Sequence, residues 1–73
     1  MARYLVAYID PQTGKEALGT GPSAQTVARY ASVKNVIRYH LSKEAFPPGQ
    51  YNIYTWPEGT FDPHFVQTAY KRV

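Results

Sequence analysis

The run Arg3 to Ile9 carries apolar or aromatic side chains on both faces of the strand it would form, with Leu5, Ala7 and Ile9 on one and Tyr4, Val6 and Tyr8 on the other. An extended segment apolar on both sides needs neighbours at its edges and cover on its faces, so this run predicts a central strand. That requirement weighs heavily on a chain of 73 residues, because a domain of this size buries only about 60% of the surface its unfolded chain exposes. The length allows one domain, residues 1–73.

Turn chemistry divides the rest. Asp10-Pro11-Gln12-Thr13-Gly14 places Asp at a turn start, Pro where φ must be near −65° and Gly where φ can turn positive, which predicts a hairpin loop with a wet return strand over Lys15 to Thr20. Ser23 suits a helix N-cap, and Val27, Ala28 and Ala31 predict a short helix over Ala24 to Ala31. Ser32 caps a second helix whose stripe Val33, Val36, Ile37 and Leu41 carries it to about Glu44. Pro47-Pro48-Gly49 ends that helix. Gln50 to Trp56 alternates β-forming residues between two proline turns and predicts a strand. Thr60 to Val73 fits two readings. Asp62-Pro63 could open a helix with the stripe Val66, Ala69, Tyr70 and Val73, whereas Phe65 to Tyr70 suits a strand pairing with Gln50 to Trp56, and its β-branched and aromatic content favours the strand. The expected class is α+β: a small antiparallel sheet, from an N-terminal hairpin and later strands, packed with a two-helix, helix-turn-helix-like unit.

Function classes narrow by composition. The chain has no cysteine, which removes disulfide scaffolds and thiolate metal sites and points to a reducing, cytoplasmic setting. No apolar run reaches the ~18 residues of a membrane span, and the N-terminus has no signal-peptide pattern, so no membrane partner is expected. Eight Lys and Arg against five Asp and Glu give a formal charge of +3 and a pI near 9.3, favouring an acidic or polyanionic partner. His40 and His64 are too few for a metal site, and His40 lies on the apolar side of its helix, where a packed structural role is the better reading. With no nucleophile triad, phosphate loop or carboxylate pair, neither catalysis nor a cofactor is expected.

Two features could carry binding. The second helix shows Asn35, Arg38, Tyr39 and Ser42 opposite its buried stripe, flanked by Lys34 and Lys43, and no acidic residue occurs from Ala17 to Lys43. Arg and Asn are base-edge readers and Lys a phosphate contact, although the same set also fits an ordinary solvated helix face. The aromatic excess, seven Tyr, three Phe and one Trp, can stack or anchor a partner, while most of it is needed for a core short of aliphatic residues.

Thr26 to Leu41 resembles a helix-turn-helix, with Ala28 at the helix contact, Ser32 in the turn, and Val33 with Val36 or Ile37 as plugs. Its turn is one residue short of the usual spacing, which weakens the case for direct base reading. The length of the chain, its start Met1-Ala2-Arg3-Tyr4-Leu5-Val6 and the basic segment resemble the small transcription regulators that lytic phages direct against host RNA polymerase. That resemblance implies a protein of the host bacterial cytoplasm that binds the polymerase β and β′ subunits, inhibits initiation by displacing the σ factor, and suppresses termination. In this reading Arg29, Lys34, Arg38 and Lys43 steer association, one or more of Tyr39, Tyr51 and Tyr54 supply anchors, and nucleic acid is contacted weakly or indirectly. The alternative is a helix-turn-helix repressor acting on duplex DNA.

Overall fold

The computed structural model describes residues 1–73. Its frame is one antiparallel sheet of four strands, β1 (Ala2–Tyr8), β2 (Gln25–Tyr30), β3 (Gly49–Thr55) and β4 (His64–Lys71), in the spatial order β2-β1-β3-β4. The two-sided run is a central strand, with Tyr4 and Val6 opposite Ala28 and Thr26 of β2 and opposite Thr55 and Ile53 of β3. The C-terminal segment is a strand, pairing Tyr51 with Ala69 and Asn52 with Thr68. No helix is long and apolar enough to cross a membrane.

The expected two-helix unit is absent, and with it the helix-turn-helix. Of residues 24–31, read as the first helix, Gln25–Tyr30 form β2 instead. Their apolar spacing fits a helix, but Thr26, Ala28 and Tyr30 also alternate with Val27 and Arg29, and the free edge of β1 offers a full ladder that a two-turn helix would forgo. The return strand expected over Lys15 to Thr20 is also absent. The Asp10 turn forms, with Gly14 N–H donating to Asp10 O at 2.8 Å and Lys15 O accepting from Asp10 N–H at 2.8 Å. After it, pairing with the first strand's extension is limited to one isolated bridge, Ile9 to Glu16. A sheet built from the hairpin alone would have left β1 with one partner of six mixed residues, whereas Gln25–Tyr30 supplies six paired positions.

Topology then dictates where the helical material goes. β2 and β3 lie on opposite sides of β1 and both run antiparallel to it, so the segment between them must cross β1 over one face. That crossing holds the single helical element, α1 (Val33–Asn35), which continues as a π-helical turn over Val36–His40. Ser32 is its cap, as expected, accepting from Asn35 N–H at 3.3 Å. The wide turn closes with Leu41 N–H donating to Val36 O at 3.1 Å, five residues back, a geometry that places both Val36 and His40 toward the sheet.

The core sits between this crossing and the covered face, joining Val36, Leu41 and Phe46 to Tyr4, Val6, Ala28, Tyr51, Ile53 and Ala69. Tyr51, Ile53, Val6 and Val36 are the largest fully buried side chains, each worth roughly 1.5–3 kcal/mol of burial for the aliphatic members. Gly49 opens β3 at φ +146°, and a Cβ there would stand 3.0 Å from Tyr8 Cε1. The close approach of the Tyr8 ring, itself tilted against Tyr51 with centroids 5.2 Å apart, therefore requires glycine.

Candidate functional site

The crossing divides the surface into a helical side and an open sheet face, and the sequence-predicted binding residues fall on both. On the helical side, Lys34, Arg38, Tyr39 and Lys43 are all exposed. Tyr39 is 52% exposed, and the Arg38 guanidinium lies 5.7 Å from its ring centroid, close enough for a cation–π contact. Beside them runs a groove of about 360 Å³ between the helical turn and the end of β4, lined by Ile37, Leu41, Ser42, Tyr70, Lys71 and Arg72. Lys71 is fixed there, its Nζ donating to Lys43 O and Phe46 O at 2.7 Å each. These bonds tie the edge strand to the loop that follows the helix.

Lys71 and Arg72 line this groove, and with Lys34, Arg38 and Lys43 of the crossing segment they make five of the chain's eight Lys and Arg, the crossing segment itself carrying a single acidic residue, Glu44. Sequence reading centred on residues 17–43 missed the C-terminal pair, whose only signal was two adjacent cations at the end of a strand. Charges clustered in this way raise the local potential and the rate of encounter with an anionic surface.

His40, beneath this side, is a packed residue. It is buried at 7% exposure, its Nε2 lies 3.0 Å from Thr26 Oγ1, and its ring sits between Phe46 at 4.6 Å and Tyr30 at 5.7 Å. Burial, aided by the Lys43 charge, lowers its pKa, so the neutral ring is the form the core holds.

Arg29 and Tyr54 are elsewhere. Strand alternation places Arg3 and Leu5 of β1, Val27 and Arg29 of β2, and Tyr54 of β3 on the face opposite the core, and Phe65 joins them edge-on to Tyr54 with centroids 5.7 Å apart. Arg29 is ion-paired with Glu58, which also stands 3.4 Å from Arg3. The Arg29 hydrogen bond is the leading reason that Glu58 titrates below the usual carboxylate range. Arg3 is held by bonds to Trp56 O at 2.8 Å and Pro57 O at 2.9 Å, with its guanidinium 4.5 Å from the Trp56 ring centroid. At the other end, Glu16 reaches down from the Asp10 loop, accepting from Asn52 at 3.0 Å and from the Tyr54 hydroxyl. The Glu16 bond is also the main cause of a raised Tyr54 pKa.

Tyr51 belongs to neither surface. Its exposure is zero, its hydroxyl donates to Pro47 O, and burial, with a smaller effect of Tyr8, pushes its pKa up to about 12. The seven sequence-predicted residues therefore divide into four on the helical side, two on the open face and one in the core.

No known protein family, curated protein or solved structure matches this chain.

Proposed function

We propose that the chain is a binding protein that docks its helical side onto an acidic surface of a larger protein, and that this partner is a bacterial RNA polymerase. The observation that carries the docking side is the distribution of charge: Lys34, Arg38 and Lys43 are exposed along the crossing segment and Lys71 and Arg72 line the groove beside it, while Arg3 and Arg29 on the opposite face are engaged by Glu58. The polymerase as partner rests on the resemblance of the N-terminal start and basic segment to phage regulators of that enzyme, and with it come contacts to the β and β′ subunits, σ displacement and suppression of termination. Exposed cations at an interface rim act chiefly on association, and an aromatic seated in the partner acts on dissociation. Tyr39, beside Arg38, takes the anchor role.

Purified bacterial RNA polymerase, nuclease-treated, is the test. Binding should be salt-sensitive. Neutralising Lys34, Arg38 and Lys43 together should slow association about tenfold or more, neutralising Arg29 should leave the rate unchanged, and Tyr39→Ala should speed dissociation. A polymerase that ignores the chain defeats the partner, and binding indifferent to the three cations defeats the surface. Duplex DNA alone should bind weakly, with a slope of log affinity on log salt of about −2 to −4, as expected for few phosphate contacts.

A further inference from the structure

The open face of the sheet lies away from the proposed docking side and has its own composition. Leu5, Val27, Tyr54 and Phe65 form its centre, and Val27 and Phe65 are 52% and 58% exposed. Its charges are of both signs and sit at opposite ends: Arg3 and Arg29 with Glu58 where β1 begins, and Glu16 over Asn52 and Tyr54 toward the other end. We infer that this face pairs with the same face of a second copy of the chain, forming a transient two-layer sheet sandwich about a two-fold axis that runs across the strands.

Charge selects both the occupant and the axis. A single-stranded nucleic acid would find aromatic rings here, but also Glu16 and Glu58 facing its phosphates. A second copy finds complementary ends. An axis across the strands reverses strand direction between the layers, so the arginine end of each copy lies over the Glu16 end of the other, twice over. An axis along the strands would stack like ends together. The groups left free agree with the first arrangement. Glu16 uses only Oε2 in its two bonds, leaving Oε1 as an acceptor, and Arg29 uses only Nη1 with Glu58, leaving Nη2 and Nε as donors. Arg29 on β2 and Glu16 above β3 are offset by two strand spacings, about 10 Å, a gap that extended arginine and glutamate side chains cover together. The helical side cannot pair with itself in this way, because its charge is almost wholly positive.

Four strands ~4.8 Å apart, with one end covered by the Asp10 loop, leave on the order of 400 Å² of face per copy. Twice that falls in the class of weak, transient interfaces below about 1,200 Å². The association is therefore one of concentrated solution or of copies held together on a larger assembly.

Sedimentation equilibrium of the full chain tests this. The weight-average mass should climb from 8.3 kDa toward twice that value between about 10 μM and about 1 mM, the range a small interface implies. Val27→Lys, Glu16→Lys and Arg29→Glu should each hold the mass at the monomer value over that range, with the fold verified by thermal melting. An equimolar mixture of the Glu16→Lys and Arg29→Glu chains should recover association, because both intermolecular pairs are then complementary again. A wild-type mass fixed at 8.3 kDa overturns the proposal, and so does a dimer untouched by Val27→Lys. A mixture that fails to recover association overturns the axis. Binding of an oligothymidylate that is lost in Phe65→Ala would reassign the face to single-stranded nucleic acid.

Discussion

The two faces of this sheet are built from the same strands yet have opposite fates. On the covered face Tyr4, Val6, Ile53 and Tyr51 are all buried and meet Val36, Leu41 and Phe46. On the other face Val27 and Phe65 stay half or more exposed, and Arg3, Arg29 and Glu58 form an ion cluster. Residue type does not account for the difference, since Leu5 and Val27 are as apolar as Val6 and Ile53. The crossing connection does. A segment that must pass from one side of β1 to the other can cover only one face, and the stability of the domain is concentrated there.

The widest separation between the faces should appear on deleting side-chain volume. Ile53→Ala should cost about 2–5 kcal/mol through lost burial and a cavity, whereas Val27→Ala should stay within about 0.5 kcal/mol, as surface substitutions do. Urea denaturation midpoints compare them directly, and equal losses would break the distinction.

Gly49→Ala should cost about 1–3 kcal/mol, since φ of +146° and the Tyr8 ring 3.0 Å from the added Cβ are both unfavourable. A melting temperature equal to wild type would mean that Tyr8 swings clear. Tyr51→Phe should lose about 0.5–1.5 kcal/mol with the Pro47 bond. It should also remove part of the alkaline instability, because a folded-state pKa of about 12 against an ordinary 10 makes stability fall as pH rises above 10.

His40 sharpens the comparison from the acid side. Its folded pKa lies below the ordinary 6.5, so the folded state takes up the proton less readily than the unfolded chain. Stability should hold above pH 6.5 and decline as pH falls below it. His40→Gln should flatten that acid limb in a series of chemical melts, and a limb of unchanged slope would assign it to other groups. The smallest effect belongs to the open face: Glu58→Gln should barely move the midpoint, and any shift should vanish in high salt, because exposed ion pairs contribute little and are screened.

Legibility in the sequence followed the same division. Arg3 to Ile9 and Gln50 to Trp56 were readable as strands because each is dense in β-formers and bounded by proline or glycine turns. Ser32 was readable as a helix cap and Val36 and Leu41 as buried positions, but the helical segment stops at His40 rather than near Glu44, Val33 and Ile37 are only partly buried, and the wide π-turn puts His40 in the core beside Val36. Ala24 to Ala31 was not readable, since eight residues with small and β-branched side chains satisfy a helical and a strand pattern equally, and the ladder of β1 chose between them. Of the binding residues, exposure on Lys34, Arg38, Tyr39 and Lys43 could be read from the stripe they oppose. The placement of Arg29 on the other face, the burial of Tyr51 and the recruitment of Lys71 and Arg72 could not.

What the sequence determined by itself is local: where turns stop the chain, which runs extend, and the surplus of positive charge. Those properties depend on side chains a few residues apart, whose sterics and hydrogen bonds act within one turn or one strand. The tertiary structure decided strand order, the face on which the crossing lies, and therefore which tyrosine is core and which cations share a surface. These depend on contacts between residues far apart in the chain, such as Tyr4 with Ala28 and Thr55. Burial of a two-sided apolar strand in so short a chain can be completed only by recruiting both neighbours, whatever the local preference of the segment that supplies the second.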